Sequence, residues 1–255
     1  VYKRQVWWDI GKIFNQVRKK EFPAGKVFER MSLHTKIVLA STLVLIVSGT
    51  ILTMAFEYSN PNTIGELSFG KKILASLFQS VTLRTAGFCT IDQSGFRSAS
   101  VIVFCMMMLI GGSPMGTAGG IKTTTVSLIF LEVKSVVRGK NHTEAFKRRI
   151  NRDNVKTALA VFGIAVTVLA AAIIMLTFTE NTSLIKISYE AFSAIGTVGI
   201  SMNFTPSLSL AGKVIIIVLM FFGRVGPITI ALALAKKKRI EQHVKDLPEK
   251  RIIIG

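Results

Sequence analysis

Residues 111–125 read Gly-Gly-Ser-Pro-Met-Gly-Thr-Ala-Gly-Gly-Ile-Lys-Thr-Thr-Thr, with five glycines and a proline in the first ten positions. Most of the stretch lies inside an uncharged run of 24 residues, 98–121, long enough for the about 20 residues a helix needs to cross a bilayer. Proline removes a backbone donor and clashes with the preceding turn, so the span is expected to break here instead of running straight. Backbone freed at membrane depth must be buried in protein or line water, because each unpaired N–H or C=O in hydrocarbon is costly. Ser113, Thr117, Thr123, Thr124 and Thr125 are the hydroxyls at hand to satisfy some of it. On the residues alone two readings stay open: a kinked helix packed through small residues, or a loop that serves a cavity.

Moving outward, three more uncharged or nearly uncharged runs reach spanning length: 37–56, 157–179 and 214–235, the last interrupted only by Arg224. Half of the 255 residues are hydrophobic and only 18% are charged, below the roughly 25% of soluble domains. The expectation is an all-α membrane protein. Of the 32 Lys and Arg, 24 fall in residues 1–36, 133–157 and 236–255, which places those segments in the cytoplasm by the positive-inside rule. The formal charge of +18 is therefore topological, and nucleic acid is not needed to explain it. Glu57, Glu66, Asp92, Glu180 and Glu190 fall on the outer side, either as a field that attracts cations to an entrance or as scattered solvated carboxylates. Cys89 and Cys105 are too few for a disulfide framework, and His34, His142 and His243 have no ligand at metal-site spacing.

Two apolar segments are too short or too broken to span, 73–83 and 191–212, and are expected to be re-entrant. Sliding the chain by 112 residues lays Thr85-Ala86-Gly87-Phe88 on Thr197-Val198-Gly199-Ile200 and Gly111 on Gly223, the mark of an internal duplication. Each copy is expected to be a helix, a re-entrant helix (74–82 or 187–195) ending in Thr-x-Gly-x, and a second helix. Glycine permits backbone conformations that turn successive carbonyls one way, and a ring of carbonyls replaces the hydration shell of a monovalent cation. The Thr-x-Gly-x strings are accordingly either turns between helices or the strands of a selectivity filter, with the filter preferred.

Residues 78–88 (FQSVTLRTAGF), 111–125, 192–201 (FSAIGTVGIS) and 222–227 (FGRVGP) together resemble the Trk/Ktr/HKT superfamily of potassium transporters, and most closely its Ktr-type membrane subunit. The resemblance implies a potassium-channel-like pore of four helix, re-entrant pore helix and filter, helix repeats, of which this chain shows two, similar to the third and fourth. It implies backbone-carbonyl potassium ligands at Thr85, Ala86, Gly87, Phe88, Thr197, Val198, Gly199 and Ile200. It implies an intramembrane gate formed by Gly111, Gly112, Ser113, Pro114, Gly116, Gly119, Gly120 and Lys122, faced by Arg224. For Lys122 a snorkelling side chain near the inner surface is the preferred account, and Arg84 is expected to lock the first string without entering the ion path. A charge such as Arg224 within a span costs at least about 2.5 kcal/mol and so is expected to face protein or water.

The expected organisation is a cytoplasmic segment 1–36, the end of a missing preceding repeat; a first pore repeat 37–132 containing the gating loop 111–125; a basic connection 133–157; a second pore repeat 158–235; and a basic tail 236–255. Val1 in place of Met, with no span before Trp7, gives the expectation of an N-terminally truncated chain, residues 1–5 being of uncertain origin. The function implied is potassium uptake across the bacterial plasma membrane by a multi-pass protein, with sodium as a candidate coupling ion, no organic cofactor and no covalent chemistry. The implied partners are membrane lipid, a cytosolic nucleotide-binding regulatory ring and a second full-length chain in a homodimer. The alternative is a secondary transporter with broken helices for another cation or small solute, but no intramembrane carboxylate stands ready for proton coupling and the two repeats share one orientation.

Overall fold

The computed structural model describes Gly11 and residues 31–226, apart from Met115, Asn141 and Lys147. Helix α1 (Leu33–Glu57) starts where the Ser32 hydroxyl accepts the Thr35 N–H at 3.2 Å and is apolar on every side, with Leu43, Val44, Val47 and Ile51 facing outward. Helix α2 (Phe69–Thr82) buries Ser76, Gln79, Ser80 and Thr82 while exposing Ile73, Leu74, Leu77 and Phe78. That inverts the pattern of a helix on a soluble protein and suits one lying among other helices in lipid. At the α1–α2 crossing Gly49 carries no side chain, and a Cβ there would collide with the Ser80 hydroxyl and Met107. The same hydroxyl donates to the Ile46 carbonyl at 3.0 Å.

A 3-10 turn (Gln93–Gly95) leads into α3 (Ser98–Leu109), where the uncharged run stops being helical. After the thirteen residues 110–122 the helix α4 (Thr123–Val137) continues. This second helix, which carries Glu132 and Lys134, lies past the end of the hydropathic run that defined the predicted span. A short hairpin of two-residue strands, β1 (Glu144–Ala145) and β2 (Arg148–Arg149), interrupts the helices. It falls in the basic connection, which is followed by α5 (Arg152–Thr179), capped by Asn151. Then come α6 (Leu184–Gly196), a 3-10 turn (Thr205–Ser207) and α7 (Leu210–Val225). The rest of the predicted last span, the tail 236–255 and most of segment 1–36 lie outside the described residues. Both short predicted helices are longer than expected, each gaining residues at its N-terminal end.

The 112-residue offset holds in the backbone: the 3-10 turns begin at Gln93 and Thr205, and the helices after them at Ser98 and Leu210. A second correspondence falls outside that register. Glu57, at the end of α1, accepts the Arg97 N–H at 3.0 Å just before α3, and Glu180, after α5, accepts the Ser209 N–H at 3.1 Å just before α7. In each half a carboxylate leaving the first helix holds the start of the second, and an anion there suits the exposed N–H groups and dipole of a helix N-terminus. The offset for this pair is 123 because the connection after α1 is longer, which hides it from a fixed-period comparison.

Two apolar clusters hold the halves. Phe96, Phe104, Met107 and Met108 of the first half pack with Tyr189, Val198, Ile200 and Met202 of the second. Phe96 and Phe104 meet edge to face, with centroids 4.9 Å apart. The second cluster joins α5, α6 and α7 through Leu176, Ile195, Ile216 and Leu219. A polar chain crosses the first: Gln79 donates to Gln93 at 2.8 Å, and the Tyr189 hydroxyl donates to the same Gln93 oxygen at 2.8 Å.

Candidate ion-conducting site

Both Thr-x-Gly-x strings are irregular backbone directly after a short helix. Thr85 has φ 71°, Gly87 80°, Thr197 52° and Gly199 84°. A β-branched residue in the left-handed region is strained by about 1–3 kcal/mol, and the same strain recurs at both threonines, 112 residues apart. Alternation of left-handed residues with ordinary ones is what turns carbonyls of a string toward one side. Among the described residues, no donor is bonded to the carbonyls of Thr85, Ala86, Gly87, Thr197, Val198, Gly199 or Ile200. The two strings also meet: a Cβ added at Gly87 would stand 2.5 Å from the Val198 oxygen.

Phe88 differs from the other seven expected ligands, since its carbonyl accepts from the Thr82 hydroxyl at 2.6 Å and so points back at α2. The Thr82 oxygen in turn accepts the Phe88 N–H at 2.9 Å. In the second half the Ser193 hydroxyl accepts the Ile200 N–H at 3.0 Å, and its carbonyl takes the Val198 N–H at 2.9 Å. Thr82 and Ser193, both fully buried or nearly so, fix the last residue of each string. Sequence comparison misses them because they are 111 residues apart, not 112. The expected locking role of Arg84 is not seen: its buried Nε has no partner among the described residues.

Behind the second string a cavity of about 240 Å³ is lined by Glu190, Ser193, Thr197, Gly199, Ser201 and Thr205 among others. Glu190 is buried; one carboxylate oxygen accepts from Thr205 at 2.5 Å and the other has no partner among the described residues. The remaining outer acids are mostly structural. Glu57 is fully buried and takes bonds from Asn60, Thr63 and Ser100 besides Arg97, so neither an entrance field nor a solvated carboxylate describes it. Asp92 holds Ser94 and is joined by Asn203 of the other half at 3.4 Å. The Ser94 hydroxyl bond, more than any other contact, keeps its carboxyl below the usual range.

The broken stretch forms a loop closed at its base. Ile110 and Ile121 pair in parallel, with the Gly111 N–H on the Ile121 carbonyl at 2.9 Å and the Ile121 N–H on that of Leu109 at 3.1 Å. The loop is attached to the second half at three points. The Gly119 N–H donates to the Thr197 hydroxyl oxygen at 2.9 Å, the Gly120 N–H to the Gly223 carbonyl at 3.3 Å, and Arg224 Nη1 to the Thr117 carbonyl. Gly119 has no room for a side chain, because a Cβ would overlap the Thr197 side chain. Lys122 turns back and donates to the Ala118 carbonyl instead of snorkelling outward, since that carbonyl is one of the groups freed by the break. The loop's own hydroxyls do little of the expected work. Among the described residues Thr123 Oγ1 is buried without a partner, and freed groups are met by Thr197, Lys122 and Arg224. Of the other residues of the loop, Gly112 accepts the Thr123 N–H at 3.3 Å and Ser113 the Gly116 N–H at 3.4 Å, while Pro114 begins the turn between them.

Interrupted spans, strained strings in mutual contact and a loop tied to one of them give the chain the fold of a helical membrane transporter. A family model described as TrkH, cation transport protein, matches residues 12–244. The chain belongs to that family. It is 42% identical over 212 residues to Ktr system potassium uptake protein B of Bacillus subtilis, covering 83% of this chain and 48% of that one. It is 38% identical over 230 residues to the protein of the same name from Vibrio alginolyticus, covering 90% and 50%. With potassium/sodium uptake protein NtpJ of Enterococcus hirae the identity is 39% over 232 residues, covering 89% and 51%. The chain thus spans about half the length of the curated relatives it matches. Its fold is like that of the potassium transporter TrkH from Vibrio parahaemolyticus, with a TM-score of 0.62 at 18% identity, over 82% of this chain and 45% of that one. It is a bacterial plasma-membrane protein, and α1 and α5 are both long and apolar enough to cross.

Proposed function

We propose that this chain contributes two of the repeats of a potassium-uptake pore. Carbonyls of Thr85, Ala86, Gly87, Thr197, Val198, Gly199 and Ile200 replace water around potassium, and Phe88 closes its string without donating a ligand. Two strings do not surround an ion, so two more must complete the ring, from the part of the relatives' length that this chain does not span or from a second copy. Residues 111–122 form the gate. Pinned to Thr197, Gly223 and Arg224, the loop obstructs the path, and the Arg224 charge repels cations until it releases. Entry is passive and driven by an inside-negative potential, worth about 2.3 kcal/mol per charge per 100 mV.

The single observation that carries this reading is the pair of strained threonines in register with two glycines, at strings that touch at Gly87 and whose carbonyls, Phe88 excepted, lack a donor among the described residues. Relatives named for potassium and for potassium/sodium uptake support potassium as cargo and keep sodium as a second or coupling ion. The pore repeats are 37–132 and 158–235, with segments 1–36, 133–157 and 236–255 in the cytoplasm, where the basic connection meets lipid and a nucleotide-binding regulatory ring. Whole transporters pair as homodimers. The test is Gly199→Ser in the complete transporter: at φ 84° a side chain is strained by about 1–3 kcal/mol, enough to cost five-fold or more in potassium-over-sodium preference. Unchanged preference in a competitive flux assay refutes the filter.

A further inference from the structure

A cavity of about 510 Å³, within the roughly 300–1,000 Å³ of ligand sites, opens between α1 and α4 and is walled by Ile37, Ala40, Val44, Val126 and Phe130. At one end it reaches Ile110 and Thr123, the residues that flank the gating loop. At the other it shares Leu131, Lys134, Glu144 and Phe146 with a second cavity of about 230 Å³, lined also by Ser135, Arg138 and Lys140. Among the described residues nothing closes over the apolar part, since Val44 and Phe130 are each more than 60% exposed. In the polar part Lys140 neutralises Glu144 at 2.9 Å, and Glu132 is turned to Thr143. Among the described residues Lys134 and Arg138 have no carboxylate within ion-pair distance.

An apolar trough that ends in two uncompensated cations, at the cytoplasmic end of a membrane protein, matches a molecule with a long hydrocarbon tail and an anionic head. We propose that this compound cavity binds one anionic phospholipid of the cytoplasmic leaflet. Lys134 and Arg138 hold the headgroup phosphate, and an acyl chain lies along α1 and α4 as far as Ile110 and Thr123. Because Thr123 N–H is bonded to the Gly112 carbonyl at 3.3 Å, the chain's far end touches the base of the loop and ties the α1–α4 spacing to it. The proposal rests on the orientation given above, with residues 133–157 inside.

The test is native mass spectrometry of the delipidated complete transporter, titrated with phosphatidylglycerol and with phosphatidylcholine of the same chains. Wild type is expected to bind the first phosphatidylglycerol more tightly. Each basic residue contributes about five-fold near an anionic surface, so K134A/R138A weakens phosphatidylglycerol about 25-fold and weakens phosphatidylcholine, whose phosphate is offset by its own ammonium, much less. Lys134→Arg keeps the binding, and Ala40→Trp, which fills the trough, weakens both lipids. Melting temperature without lipid identifies any variant that has simply misfolded. Equal binding of the two lipids, undiminished phosphatidylglycerol binding in both loss variants, or a photo-crosslinker at Phe130 capturing another protein segment or a second copy instead of lipid overturns the proposal. The titration requires no transport, so its failure is distinct from failure of the potassium reading.

Discussion

Replacing Thr197 by valine separates the proposed gate from the proposed filter. Valine keeps the β-branched shape but removes the oxygen that accepts the Gly119 N–H at 2.9 Å. Gly119 is buried, so its N–H is left without a partner while the loop stays closed, at a cost of about 1–3 kcal/mol. An open loop exposes that N–H to water and escapes the penalty. The closed-to-open ratio therefore falls by about 5- to 150-fold, the whole of that cost being differential between the two states. Potassium uptake by proteoliposomes holding the complete transporter should rise in Thr197→Val and stay near wild type in Thr197→Ser. Selectivity is the internal control, since the strained backbone at residue 197 is unchanged. Unaltered or reduced flux in the valine variant refutes the coupling of loop to string, and so does a rise that appears only together with lost potassium preference.

Four further outcomes follow from the same geometry. Arg224→Ala removes a charged donor to the Thr117 carbonyl, an exposed contact worth about 0.5–1.5 kcal/mol, and is expected to raise basal flux in the same assay. Thr82→Val leaves the Phe88 N–H unmet and should lower potassium preference with little effect on gating, measured by competition with sodium. Glu57→Gln replaces an oxygen facing donors with an amide that donates, costing about 1–3 kcal/mol; a melting temperature equal to wild type by thermal scanning fluorimetry would contradict it. Asp92 has a depressed folded-state pKa, so its contribution is present above the unfolded value of about 3.9 and is lost as pH falls through the folded value. Exposure holds that contribution below about 1 kcal/mol, so Asp92→Asn should lower the melting temperature at pH 7 by no more than a few degrees, and the difference from wild type should vanish as pH falls through the folded value.

Two of the expected spans, those of α1 and α5, were legible because bilayer thickness imposes a length on apolar runs, and the break at 111–120 because Gly and Pro punctuate a helix whatever surrounds them. The Thr-x-Gly strings were legible because a duplication repeats its special backbone positions. What escaped was set by contacts across the chain. Thr82 and Ser193 grip equivalent residues from positions one out of register, and Glu57 and Glu180 do so from eleven residues out. Lys122 was assigned to the interface by its place near the end of a run, whereas the freed Ala118 carbonyl offers it a nearer partner. The loop's hydroxyls were expected to serve the loop, but the bond that matters comes from Thr197, 78 residues away. The helix after the loop was missed because Glu132 and Lys134 end the hydropathic signal without ending the helix.

Anomalous scattering from thallium substituted for potassium in the complete transporter tests the central claim most directly. The account predicts a peak between the strings, within bonding distance of carbonyl oxygens of residues 85–87 and 197–200. A peak against the Glu190 carboxylate with none between the strings contradicts it.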